Sequence, residues 1–86
     1  ELDEDILPAV ESTEEAVDRN RLSACIDRFL ETLPKKQRIL FVRRYFYTDS
    51  IKELALRQGM SESAVKVSLH RIRKNLELVL REEEFL

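Results

Sequence analysis

Eighty-six residues suffice for one domain, and a 43% hydrophobic content is enough for a small helical core. One Gly, two Pro and 7% aromatic residues leave few places to turn and too little clustering for a sheet, which favours a few long helices. No apolar run approaches the ~18 residues of a membrane span, no secretory signal pattern is visible, and one Cys with one His excludes an internal disulfide or a Cys/His metal set. No cofactor is expected. These features agree with a cytoplasmic protein, and a chain beginning with Glu rather than Met reads as a piece of a longer one.

The net charge of −2 is unevenly spread. Residues 1–31 hold ten acids against three bases, and residues 32–60 hold seven bases against two acids. Residues 61–86 hold five of each, but three of those acids are the terminal Glu82, Glu83 and Glu84. Basic charge therefore collects in the middle of the chain, where an anionic partner would meet it.

Residues 1–19 read as an acidic linker or arm containing Pro8, and residues 20–86 as the helical domain. Ser12 followed by Glu15 has the form of a capping box that starts the first helix. The strong apolar stripe begins only at Leu22 and continues through Cys25, Ile26, Phe29, Leu30 and Leu33. The stretch before Leu22 is therefore the weaker part of that helix. With those neighbours, Cys25 reads as a small buried hydrophobe rather than a reactive thiol.

Pro34 interrupts the pattern. Proline is tolerated at the first helical position and disfavours helix in the residue before it, so a second helix is expected from about Pro34 to Tyr47. Leu40, Phe41, Tyr45 and Phe46 are its inward candidates, while Lys35, Lys36, Arg38 and Arg43 face mostly outward.

Thr48 and Asp49 lead into the most informative stretch, residues 50–74. Ser50 and Glu53 form a second capping box, and Leu54 with Ala55 gives the short helix that follows a buried edge. Gly59 stands where the chain must reverse, because glycine enters the left-handed region at little steric cost. Met60 tucks in behind it, and Ser61 caps the next helix. A small Ala55 before that glycine and an apolar Val65 after it suit a helix-turn-helix, with the two helices crossing at the alanine.

In the final helix, Val65, Leu69, Ile72 and Leu76 recur at spacings of four, three and four and form one inward stripe. At roughly 100° per residue, Ser63, Val67, His70 and Lys74 fall on the opposite side, flanked by Lys66 and Arg71. Such a face is shaped for a major groove, although an ordinary solvated face has the same charges. The helix continues through Leu76, Val79 and Leu80, with Leu78 off the stripe and exposed. No glycine-rich phosphate loop, nucleophile elbow or paired catalytic carboxylates accompany it, so an enzyme is not expected.

The segments L-P-K-K-Q-R-I-L-F-V-R-R-Y-F at 33–46, S-I-K-E-L-A at 50–55 and S-A-V-K-V-S-L-H-R-I-R-K at 63–74 resemble region 4 of bacterial sigma factors. The likeness is closest to the extracytoplasmic-function (ECF) group of the sigma-70 family and covers roughly residues 20–82. It implies a small all-α four-helix domain, winged-helix-like or of sigma region 4 type, with a helix-turn-helix at about 50–74. It also implies that helix 61–75 reads the −35 promoter element while the domain is docked on the β-flap of RNA polymerase. The DNA-contacting positions then hold Lys66, Val67, His70 and Arg71, with Ser63 and Lys74 nearby. Ser50 and Lys52, at the start of the preceding helix, are the expected phosphate contacts. An anti-sigma protein is a further partner known for this group, and a region-2 domain would precede the segment.

Relatives often carry Ser-Arg where this chain has Val67-Ser68. An arginine contact is therefore missing, while Val67 suits a thymine methyl. The acidic arm is expected to lower free binding to DNA. Two other readings share the pattern: the DNA-binding output domain of a response regulator, acting as a dimer on paired half-sites, and a protein-binding helical module whose basic face meets an acidic partner.

Overall fold

The computed structural model describes the backbone of residues 13–86 and the side chains from Ala16 onward. Residues 1–12, with Pro8 and Ser12, lie outside the described residues. Four helices follow in order: α1 (Thr13–Glu31), α2 (Lys35–Tyr45), α3 (Ile51–Gln58) and α4 (Glu62–Glu82). No strand occurs among the described residues, so the fold is the all-α four-helix type, and no wing accompanies its helix-turn-helix.

Helix α1 is already formed at Thr13, in keeping with a first helix started near Ser12 and Glu15. Residues 13–19 form its first turns. Residues 17–21 are exposed, and the burial starts where the apolar stripe does. Cys25, Phe29 and Leu30 are buried, with Leu22, Ile26 and Leu33 half-buried beside them. The helix closes in a tight turn, with the N–H groups of Thr32 and Leu33 donating to Phe29 O and Leu30 O at 3.0 and 3.1 Å. The Thr32 hydroxyl adds a bond of 2.6 Å to Phe29 O.

Helix α2 is shorter than the expected 34–47. Pro34 sits just outside it as the N-cap, at φ −55° and ψ 150°, and its carbonyl accepts the Arg38 N–H at 3.0 Å. The other end stops at Tyr45, because the N–H groups of Phe46 and Tyr47 both turn back to Val42 O. Leu40 and Phe41 are buried as expected, but Phe46 is 63% exposed and Tyr45 42%. Phe46 lies five residues beyond Phe41, which carries it about 140° around the helix and off the inward face. Tyr45 lies closer to Phe41, its ring tilted against it with centroids 4.8 Å apart, and its exposed hydroxyl accepts from Arg73.

The adjacent Leu40 and Phe41 enter two different apolar clusters, which makes α2 the wedge of the fold. Leu40 joins Leu54, Ala55, Val65 and Leu69 inside the helix-turn-helix, with Ile51 and Met60 packed against them. Phe41 joins Phe29, Leu30 and Ile72, which tie α1 to α4. Burying each such aliphatic or aromatic side chain stabilises the fold by about 1.5–3 kcal/mol relative to leaving it exposed. Helix α4 supplies both clusters, Val65 and Leu69 to one and Ile72 to the other. Its rotation about its own axis is thereby fixed at two levels. Leu78, off that stripe, is 61% exposed.

Candidate nucleic-acid interface

The turn that presents α4 is built from local capping chemistry. Ser50 Oγ accepts the Glu53 N–H at 3.0 Å, and Glu53 Oε1 accepts the Ser50 N–H at 2.8 Å. Helix α3 ends at Gly59, which adopts φ 65° and ψ 38°, and the N–H groups of Gly59 and Met60 both donate to Ala55 O. Left-handed backbone of this kind strains any residue with a Cβ, so glycine is the natural choice here. Two residues later Ser61 Oγ accepts the Ala64 N–H at 3.0 Å and starts α4. The reversal between α3 and α4 therefore leaves few torsions free.

Behind this turn, Asp49 holds α2 to α3. Its carboxylate accepts from Arg43 Nε at 2.6 Å and lies 3.6 Å from Arg57 Nε. Its backbone N–H donates to Arg43 O at 3.0 Å, and its carbonyl accepts from Arg44 Nη1 at 2.9 Å. Asp49 is the one buried charged residue among the described side chains. Burying a carboxylate is costly unless it is paired and hydrogen-bonded, and here both conditions are met. The bond to Asp49 raises the Arg43 pKa above its ordinary value. Sequence reading had treated Asp49 only as a connector. Its role depends on Arg43 and Arg57, six residues before it and eight after, a spacing that fits no single helix face.

The side chains expected on the reading face are all on one exposed side of α4. Ser63, Lys66, His70, Arg71 and Lys74 are solvent-exposed, as is Val67, 49% accessible in the middle of them. On the opposite side Val65, Leu69 and Ile72 are at most 2% accessible. Lys74 lies 3.9 Å from Glu77, one helical turn on, and Glu77 also accepts from Arg81 at 2.8 Å. The Arg81 hydrogen bond, then the charges of Lys74 and Arg81, lower the Glu77 pKa below the usual carboxylate range.

Ser50 and Lys52, the two expected phosphate contacts, differ in what they still offer. Ser50 has both its hydroxyl and its N–H engaged in the capping box. Lys52 is exposed, and in the first turn of α3 the N–H groups of Ile51 and Lys52 point out of the helix end without intrahelical acceptors. Among the described residues, no group of three or more His, Cys, Asp or Glu side chains is placed to hold a metal ion. No helix of the described residues is long and apolar enough to cross a membrane.

A capped helix-turn-helix presenting a cationic face has the form of a DNA-binding module. The family model for sigma-70, region 4 matches residues 23–76, more than half of the sequence, and the chain belongs to that family. Region 4 serves sigma factors in recognition of the −35 promoter element, so this is a DNA-binding domain of transcription regulation rather than a catalytic one. Comparison with curated proteins finds no match, and neither does comparison with solved structures.

Proposed function

We propose that the chain is the −35-reading module of an ECF-type sigma factor, working in the bacterial cytoplasm while docked on the β-flap of RNA polymerase. The observation that supports this most is the division of α4 into a buried stripe and an exposed face. Ser63, Lys66, Val67, His70, Arg71 and Lys74 share the exposed side, and the capped turn at Gly59 sets its angle. Arg71 and Lys66 carry the polar contacts to base edges or phosphates, and Val67 offers an apolar surface to a thymine methyl. Ser63 and Lys74 flank them, and His70 packs against the groove edge. At the foot of α3, Lys52 and the free N–H groups beside Ser50 hold the backbone.

Affinity for free DNA is expected to be weak. Non-specific binding by such modules falls at about 10⁻⁴ to 10⁻⁶ M at physiological salt. Attachment to the polymerase turns the second contact into an intramolecular one and removes the need for tight free binding. A groove of about 460 Å³ between α1 and the end of α2, floored by Leu22, Ile26 and the exposed Phe46, suits an apolar flap segment. In this reading the acidic stretch of residues 1–19 is the tail of a linker from a −10-reading domain, and an anti-sigma protein is a partner known for the group.

The test is to titrate the isolated β-flap domain into the ¹⁵N-labelled chain. Saturable shifts at Leu22, Ile26, Phe46 and neighbouring residues of α2 and α3, with the outer face of α4 unmoved, are expected. No shifts with flap, while duplex DNA still moves α4, would contradict the docking and favour a response regulator's output domain. Silence with both ligands would leave a protein-binding module.

A further inference from the structure

A second cationic feature lies beside the reading face rather than on it. A cleft of about 240 Å³ opens where the end of α2, the start of α3 and one flank of α4 meet. It is lined by Arg44, Tyr45, Ile51, Lys66, Leu69 and Arg73, so three cations converge and no carboxylate joins them. None of the three arginine or lysine side chains has an ion pair among the described residues. Two acids flank these cations along α4: Glu77, four residues after Arg73, is already engaged by Arg81 and Lys74, and Glu62, four residues before Lys66, makes no ion pair with it among the described residues.

Two of these cations are held in place by neutral groups. Arg44 Nη1 donates to the Asp49 carbonyl at 2.9 Å, and Arg73 Nη1 donates to the Tyr45 hydroxyl at 2.6 Å. Neither contact offsets positive charge. The cations repel one another until an anion enters, and the donors are already oriented for one. Ile51, the first residue of α3, adds the positive end of that helix to the same wall.

We propose that this cleft seats one phosphate of the duplex backbone, with Arg73, Arg44 and Lys66 as its ligands and Tyr45 as the positioning residue for Arg73. The assignment rests on the promoter-reading proposal and adds to it a sequence-independent anchor. A phosphate fixed beside α4 sets how far the helix slides along the groove, and so which bases Arg71 and Val67 meet. Lys66 then belongs to the backbone and not to the base edges. The hydroxyl of Tyr45 accepts from Arg73 and keeps its own proton to donate to a phosphate oxygen.

The test is the salt dependence of duplex binding by the 86-residue chain and its Arg73→Gln, Lys66→Gln and Tyr45→Phe variants, each checked for wild-type helicity. Each lost phosphate contact lowers the log–log salt slope by about 0.9, so the affinity deficit of Arg73→Gln should be about 3.5-fold larger at 50 mM salt than at 200 mM. The loss should be equal on every duplex sequence, and Tyr45→Phe should show a smaller loss of the same kind. A duplex with one neutral methylphosphonate at the contacted position should bind wild type and Arg73→Gln alike. An unchanged slope in both Arg73→Gln and Lys66→Gln, in a wild-type chain that binds DNA, overturns the cleft and spares the promoter reading. A loss confined to particular base pairs overturns it too, since the residue would then read bases. Inorganic phosphate that shifts the Tyr45 and Arg73 signals while the duplex slope stays unchanged makes this a free-anion site and overturns the backbone assignment. A wild-type chain that binds no duplex at any salt overturns both proposals together.

Discussion

Replacing Gly59 by alanine separates two explanations for the only glycine in the chain. One is steric, a need for close approach between α3 and α4. The other is conformational, a need for left-handed backbone. An alanine Cβ at Gly59 would meet no atom within 4 Å, so the steric explanation predicts almost no cost. The backbone, at φ 65°, predicts a penalty of about 1–2 kcal/mol, the cost of the left-handed region for an L-residue. Part of that is offset, because alanine also has fewer unfolded conformations to lose, by about 0.4–1 kcal/mol. The net expectation is a loss of roughly 1 kcal/mol, or about 4–8 °C in Tm for a domain of this size. Asparagine tolerates left-handed backbone better, so Gly59→Asn should lose less than Gly59→Ala. Urea unfolding followed by circular dichroism measures the difference, and an unchanged slope with denaturant keeps the comparison two-state. Equal losses for Ala and Asn, or none for Ala, would refute the conformational reasoning. A loss above about 3 kcal/mol would show that packing is disturbed after all.

Thr48 carries the opposite expectation. It is β-branched yet adopts φ 59°, so Thr48→Asn should stabilise the chain by about 0.5–1 kcal/mol, read as a higher melting temperature. Leu54 is wholly buried at the crossing of α3 and α4, and Leu54→Ala should cost about 2.7–5 kcal/mol, enough to unfold much of the chain at 25 °C by circular dichroism. Glu77 has a folded pKa below its unfolded value, so its contribution is complete above the unfolded pKa and is lost as pH falls through the folded one. Acidification should therefore loosen the 77–81 turn in amide spectra, and Glu77→Gln should remove that acid-dependent step. An identical acid profile in the variant would contradict the assignment.

What could be read from the chain alone was local. The Ser50–Glu53 box, Gly59 and the Ser61 cap each act within four residues, and all of them adopt the expected geometry. The stripe of Val65, Leu69 and Ile72 was legible for the same reason, since helical period needs no knowledge of the partner. The end of α2 was not, because the N–H groups of Phe46 and Tyr47 both return to Val42 O, and the loop beyond it is held by Asp49 reaching both Arg43 and Arg57. Phe46 was therefore expected inside and stands largely exposed. The start of α1 at Thr13 fits the local Ser12 and Glu15 pattern, although the polar stretch that follows has no apolar stripe before Leu22. Arg73 and Tyr45 are 28 residues apart, and only the packing of α4 on α2 brings them together. The six reading-face residues were legible as a face; the phosphate cleft beside them required the fold.

The most direct test of the central proposal is to titrate duplex DNA, selected from a randomised pool, into the ¹⁵N-labelled chain at low salt. The account predicts the largest amide and side-chain shifts at Ser63, Lys66, Val67, His70, Arg71 and Lys74, with smaller ones at Lys52 and Arg73. Shifts confined to α1 or the outer face of α2, with that side of α4 unmoved, would contradict it.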